Sequence, residues 1–581
     1  MNLAVTHDPV TRASLSDAID EACGRIAPAW PLDRAIAVNP YWGWLEQRFE
    51  DVDARLGPLA GTTLWMPPGY YRAAWASGDI GPDHLRRALA EAGSTDSEGA
   101  LVAALDADQP ATTALPLLSD FARGFPTGAG QGGWAETILD QISRFCAGHF
   151  DADQADWRAP GTDGLYEQWR RTFIADHGAT LPDHTGALQA RARALPAGDS
   201  RAAIAAVAER LGFEGDELVT LMETALLRVS GWASWCAYRR WNARLAGTDD
   251  DAIEGLLAIR LAWETLLDDG ARGTGSNWAR WRTAWRGPAD ETALAQRRRM
   301  AVWHRALEIA YQQPLTEALA RPAPAAEPVP AVQAVFCIDV RSEVFRRALE
   351  DVAPGIQTRG FAGFFGLPVS YAPLGAAAER PQLPGLLAPA LRVSDSCGDT
   401  QADGAMAARR RQRLARASSW RHFTSLPASA FSLVETLGLG YLGKLVRNSL
   451  SGAPLPEGWG RAGLSGDETS RLRPALELPG EDAAGAGTDI AERVLGAMGL
   501  TGNVAGLVLL VGHGSTSSNN PQAAALDCGA CCGQTGEVNA RALAALLNDP
   551  AVRRGLAERG MEIPASTHFL AALHNTTTDE V

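Results

Sequence analysis

Two strand-length apolar runs, Ala331 to Ile338 and Val504 to Val511, lie more than 160 residues apart, and each leads directly into a potential ligand. Runs with so little polar alternation suit strands buried on both faces, as in a parallel sheet. The first gives VFCIDVRSE, with Cys337, Asp339 and Arg341 at alternate positions. Side chains two apart on a strand point the same way, so these three share one face wherever the chain stays extended. The second run ends in Gly512-His513-Gly514, and Cys528 follows in the next loop. Ligands of open α/β sheets bind at the carboxyl ends of strands. Cys337, Asp339, His513 and Cys528 therefore make a candidate set of two thiolates, an imidazole and a carboxylate, suited to tetrahedral zinc. The sulfurs disfavour magnesium and calcium, and zinc implies Lewis-acid or hydrolytic chemistry.

Spacing alone leaves two other readings open. Cys528-Gly529-Ala530-Cys531 is a CxxC, which with a helix after it can act as a thiol redox pair. It can also begin a zinc knot with Cys532, although a second ligand pair at short spacing is missing. In the third reading Cys337 and Cys532 are small buried hydrophobes.

The rest of the chain supplies the setting. Residues 1–320 read as a mainly helical N-terminal region, with apolar residues at helical spacing in Glu98–Leu105, Arg201–Leu211 and Leu218–Val229. Trp278, Trp281 and Trp285 recur at the same spacing, which favours aromatic packing over cofactor stacking. His149, Asp151 and Asp153 suggest a metal, but the segment lacks the glycine and closing glutamate of a calcium loop, and a solvated helix start is favoured. RPAPAAEPVP, residues 321–330, is a linker by composition. Residues 331–372 read as the first half of an α/β core, with a helix over Glu343–Glu350 and a strand over Ile356–Ala362. Residues 373–500 read as an irregular and helical insertion with an acidic loop at PGEDAAGAGT, and 501–581 as the second half of the core.

Composition narrows the function classes. Apolar residues make up 46% of the chain and charged residues 21%, a globular balance. A net charge of −15 argues against a nucleic-acid binder, which would carry a basic footprint. No apolar run approaches the roughly 18 residues of a membrane span. The start is acidic and amphipathic, unlike a signal peptide. These features point to a cytoplasmic protein, soluble or peripherally attached. The basic stretch ARRRQRLAR, Ala408–Arg416, reads as a solvated helix face in preference to a membrane or acidic-partner contact.

CIDVRSE resembles the Cys-x-Asp-x-Arg signature of β-class carbonic anhydrases, in which the cysteine ligates zinc and the Asp–Arg pair gates the metal. Their second motif, a strand ending in Gly-His and then x-x-Cys-Gly, is matched by VGHG and DCGA with twelve extra residues between His513 and Cys528. TRGFAGFFG, Thr358–Gly366, is similar to the glycine-bearing strand after the first motif. The enlarged pattern, with NPYWGW and HNTTTDEV, is identified as that of the DabA family, zinc-bearing subunits of two-component inorganic carbon pumps. The resemblance implies a fold with a central β-carbonic-anhydrase-like sheet, a largely helical N-terminal region and helical insertions. It implies Cys337, His513 and Cys528 as zinc ligands, Asp339 as fourth ligand or displaceable group, and Arg341 as its ion-pair partner. It further implies hydration of CO2 to bicarbonate only within a complex with the cation-conducting membrane subunit DabB, at the cytoplasmic side of the inner membrane. Family members usually continue well past HNTTTDEV, so the resemblance implies a chain that is either truncated or divergent there. Competing expectations are a stand-alone cytosolic zinc anhydrase or hydrolase, and the CxxC redox protein.

Overall fold

A computed structural model describes residues 15–106, 113–122, 133–151, 163–176, 186–286, 291–322, 329–451, 458, 460–480, 482–517 and 520–581. The chain divides into two units, Met1–Ala29 with Val38–Ala323, and Trp30–Ala37 with Pro324–Val581. Asp153 and most of the 321–330 stretch lie outside the described residues.

The first unit is helical among its described residues. Its core surrounds the helix Ala252–Leu267, whose residues are almost all buried. AIEGLLAIRLAWETLL is apolar around most of its circumference, so this helix belongs at the centre and not on a surface. Its buried charges are paired: Arg260 bonds Glu264, and Glu264 accepts from the Ser119 backbone N–H at 2.8 Å and hydroxyl at 2.9 Å. Burial without such partners would be costly. The tryptophans pack as the spacing predicts. Trp281 is fully buried against Phe213, and the Trp281 and Trp285 indoles both donate to the Pro116 carbonyl.

The second unit is mixed α/β, with two four-stranded sheets among its described residues. The strands are β1 Val332–Cys337, β2 Ile356–Phe361, β3 Val369–Ala372, β4 Arg380–Gln382, β5 Leu391–Ser396, β6 Arg473–Glu477, β7 Leu507–Gly514 and β8 His568–Asn575. The first sheet runs β2-β1-β7-β8, all parallel. The two apolar runs form its central neighbours β1 and β7, with Phe336 paired to Val511. Alternation sorts their side chains: Val335, Val508 and Leu510 enter a core beneath the helices Ala483–Met498 and Glu537–Asn548, while Ala334, Phe336 and Val511 pack with Phe345 and Leu349 of the helix Val340–Val352.

The second sheet, β4-β3-β5-β6, lies mostly where the sequence suggests an irregular and helical insertion. Two of its strands contain Pro381 and Pro474, which argue against strand in a sequence reading. Both occupy the sheet's edges, where a missing backbone donor is tolerated. The expected acidic loop PGEDAAGAGT is also corrected. Asp482 caps a helix that begins at Ala483, its carboxylate accepting from the Gly485 backbone N–H.

Candidate metal centre

The chain leaves β1 toward β2 on one side and returns through β7 and β8 on the other. The gap between β1 and β7 is thus the point where strand order reverses, the place at whose carboxyl end open α/β sheets bind ligands. Cys337 is the last residue of β1, and His513 the penultimate residue of β7. Parallel pairing delivers both to the same edge.

Cys528 must be brought back across the long loop that follows β7. Two features do this. The Asp527 carboxylate accepts from the Ser515 backbone N–H at 2.8 Å and hydroxyl at 2.9 Å, closing the excursion at its base. Burial raises the Asp527 carboxyl above its usual range, against the pull of these two bonds. The Gly536 N–H also donates to the His513 carbonyl at 2.9 Å. That approach requires Gly512, because a Cβ there would stand 2.7 Å from the Gly536 backbone.

Cys337, His513 and Cys528 are all buried, and one ligand atom from each lies within 4.8 Å of the others. The Cys337 and Cys528 Sγ atoms are 3.8 Å apart. Two sulfurs bound at about 2.3 Å to a tetrahedral zinc would stand about 3.8 Å apart, so the pair has the spacing of a tetrahedral edge. Gly363 leaves room above it: a Cβ there would lie 2.6 Å from the Cys528 sulfur and 2.7 Å from that of Cys337. The hydrogen bond to Cys528 and burial push the Cys337 thiol up. At Cys528 the bond with Cys337 acts downward, but contact with Cys531 and burial prevail and raise it. Metal binding replaces the protons of such thiols. The donor set therefore fits a soft, tetrahedral divalent ion.

Asp339, the fourth expected ligand, stands outside this three-residue group, with its Oδ2 3.7 Å from His513 Nε2. Its carboxylate is engaged by Arg341: Nε donates to Oδ1 at 2.8 Å, Nη2 to Oδ2 at 3.0 Å and the backbone N–H to Oδ1 at 2.9 Å. Burial raises the Asp339 carboxyl, but the Arg341 bonds and His513 outweigh it and hold it below the usual range. The extended Cys337-Asp339-Arg341 face is not what forms. β1 stops at Cys337, Asp339 is the N-cap of the helix Val340–Val352, and Arg341 lies in its first turn. An aspartate accepting from the amide two residues on is an ordinary helix start, and here it competes successfully with continued strand.

Sequence reasoning passed over several supports. Gly363 lies in the glycine-spaced RGFAGFFG stretch but has no signal of its own. Fully buried Asn539 has Nδ2 within 3.1, 3.0 and 2.9 Å of the Phe364, Leu367 and Gln382 carbonyls, fixing the loop that bears Gly363. Fully buried His574 shares a bond with the Ser342 hydroxyl at 3.0 Å, pinning β8 to the helix start beside Arg341. Cys531 is buried with its sulfur 4.0 Å from the Asn539 Oδ1, and Cys532 is buried with a left-handed backbone.

Among the described residues no helix is long and apolar enough to cross a membrane. Comparison with known proteins bears on the whole chain. The family model described as "Probable inorganic carbon transporter subunit DabA" matches residues 19–581. A relative of that description from Ectopseudomonas mendocina (strain ymp) is 48% identical over 576 residues, 98% of this chain and 69% of its own length. One from Vibrio cholerae serotype O1 (strain M66-2) is 46% identical over 580 residues, covering 99% and 66%. Another from Methylovorus glucosotrophus (strain SIP3-4) is 44% identical over 613 residues, covering 100% and 71%. The chain thus spans about two thirds of the length of these curated relatives. No solved structure matches it. Since the matched span carries both sheet halves and every residue of the cysteine–histidine cluster, the chain belongs to the DabA family, probable subunits of an inorganic carbon transporter.

Proposed function

We propose that this chain is the zinc-binding subunit of an energy-coupled inorganic carbon pump, hydrating CO2 to bicarbonate vectorially with a cation-conducting membrane partner, DabB, at the cytoplasmic side of the inner membrane. The observation that carries the reading is the convergence of Cys337, His513 and Cys528 at the strand-order reversal, with a tetrahedral edge between the sulfurs. A parallel sheet bearing such a site on its carboxyl edge supports a β-carbonic-anhydrase-like core. Cys337, Cys528 and His513 would hold the ion, and zinc supplies the Lewis acidity that makes water a nucleophile near neutral pH.

Asp339 and Arg341 set access to the fourth position. With both oxygens held by Arg341, the Asp339 carboxylate would be kept off a bound ion and could orient a reacting water or take its proton. Released from Arg341, the same carboxylate is close enough to His513 to compete for that position. The partner subunit would decide which arrangement prevails. Purified alone and loaded with zinc, the chain should hydrate CO2 barely faster than solution, and co-expression with the membrane subunit should restore hydration. Stopped-flow exchange measurements would read this, and a purified chain as active as a free carbonic anhydrase would sink the gated reading.

Asp527 is a positioning residue in this scheme. Asp527→Ala opens the base of the loop and should weaken zinc binding about 10- to 100-fold, the range typical of lost supporting bonds around a metal. Asp527→Asn keeps an acceptor for Ser515 and should lose less. Competition titration with a zinc chelator separates the two, and equal affinities in both variants and the parent would remove Asp527 from the site.

A further inference from the structure

The helices Thr400–Ser425 and Pro427–Ser451 form a hairpin in the second unit. Only the first half of the leading helix is anchored. Met406 and Ala407 are buried against Leu374, Leu464 and Leu472, and Arg410 donates to the Leu374 and Ala462 carbonyls at 2.6 and 2.9 Å. Arg413 makes a further bond to Glu468 at 2.6 Å. Beyond it the leading helix is exposed almost throughout.

The returning helix carries its apolar residues outward. Phe431, Val434 and Leu450 are 78%, 70% and 83% exposed, and Leu442, Leu445 and Val446 are exposed with them. At 100° per residue these six cover about 160° of the circumference, wider than the stripe of about 100° that faces a single neighbour. Lys444 and Arg447 lie on the other side, and Glu435 is the one acidic residue, inside the arc. Soluble monomers rarely expose apolar patches above a few hundred Å² without a binding role.

Charge identifies the occupant. Residues 400–451 hold eight basic and two acidic side chains; Arg409, Arg410 and Arg413 are engaged within the unit, and the other five basic residues leave the hairpin cationic in a chain whose total charge is −15. Trp420 and Tyr441, the aromatic types enriched at membrane–water interfaces, are exposed on the same hairpin. Its apolar content is too low to cross a bilayer. A broad apolar arc edged by cations is the make-up of a helix lying in the plane of an anionic lipid surface.

We propose that the hairpin Thr400–Ser451 is an interfacial anchor that inserts its apolar arc into an anionic lipid surface. The anchor rests on the reading of the chain as part of a membrane transporter and supplies the contact that reading leaves open. The full chain should cosediment with vesicles of phosphatidylcholine and phosphatidylglycerol at least about tenfold better than with phosphatidylcholine alone, an advantage that shrinks in about 1 M salt. The exposed triple variant Phe431→Ser, Leu442→Ser, Leu445→Ser should lose at least about tenfold in binding. Lys444→Glu with Arg447→Glu should lose about tenfold on anionic vesicles alone. Zinc content, measured on the same samples, reports separately on the metal site. Binding lost while zinc is retained assigns the effect to the hairpin. Failure of the parent to bind either vesicle overturns the anchor. So does a parent dimer that the triple variant dissolves, which would make a second copy the occupant. Binding only to membranes that contain the partner subunit overturns it too, since the occupant is then a protein.

Discussion

A Cys337→Ser chain is expected to emerge from purification almost free of zinc, whereas Cys531→Ser keeps close to the parent's content. Serine at position 337 offers a neutral hydroxyl where the site needs a thiolate. Zinc binding in small protein sites is worth about 10–16 kcal/mol spread over about four ligands, so one lost thiolate weakens affinity about 100- to 1000-fold. Cys531 makes a long contact with Asn539 and touches Cys528 but lies outside the three-residue cluster, so its replacement leaves all three donors in place. Elemental analysis of both variants, with circular dichroism to establish folding, reads the difference. The thiol-redox alternative predicts the opposite order for function: Cys531→Ser inactive and Cys337→Ser active. That result would move the chemistry from the β1 end to the CxxC loop.

The second large effect is expected from Arg341→Ala. Arg341 makes two side-chain bonds to Asp339, and their loss frees a partly buried carboxylate 3.7 Å from His513. A charge-assisted bond is worth about 1.5–3 kcal/mol, so losing the pair shifts the carboxylate toward the ion by about 100-fold or more. Zinc should be held at least as tightly as in the parent, while hydration by the complete complex falls by about that factor. Arg341→Lys should recover little, because an ammonium cannot grip both carboxylate oxygens in one plane. Full activity in Arg341→Ala, or zinc lost with it, would show that the pair holds up the fold and not access to the ion.

The grouping of Cys337 and His513 in the candidate site was legible because it is made by strong local signals. The two apolar runs marked the central strands, and Cys337 and His513 at their ends marked the carboxyl edge of the sheet. The fold around them was less so, for reasons that can be named. The start of the helix at Val340 was hidden because Asp339, read as part of the strand end, is the helix cap. The second sheet was hidden because β4 is three residues long and β4 and β6 carry prolines that only an edge accepts. The return of Cys528 depends on the Asp527–Ser515 bridge across twelve positions, and no periodicity encodes such a contact. Gly363 and Gly512 matter for what they leave empty, and a sequence lists only what is present.

The separation of the two cysteines has a consequence for how the protein is made. Cys337 and Cys528 are 191 positions apart, and synthesis runs from the amino terminus. At about 5–20 residues per second, the first thiol waits about 10–40 s on the ribosome before its partner exists. Through that interval β1 lacks its β7 neighbour, so its apolar run stays open along one edge. Closure of the three-residue cluster therefore waits until Cys528 has been made. Any cellular factor that shields these thiols, or would load an ion onto them, has its moment of action set by the order of strands in this sheet.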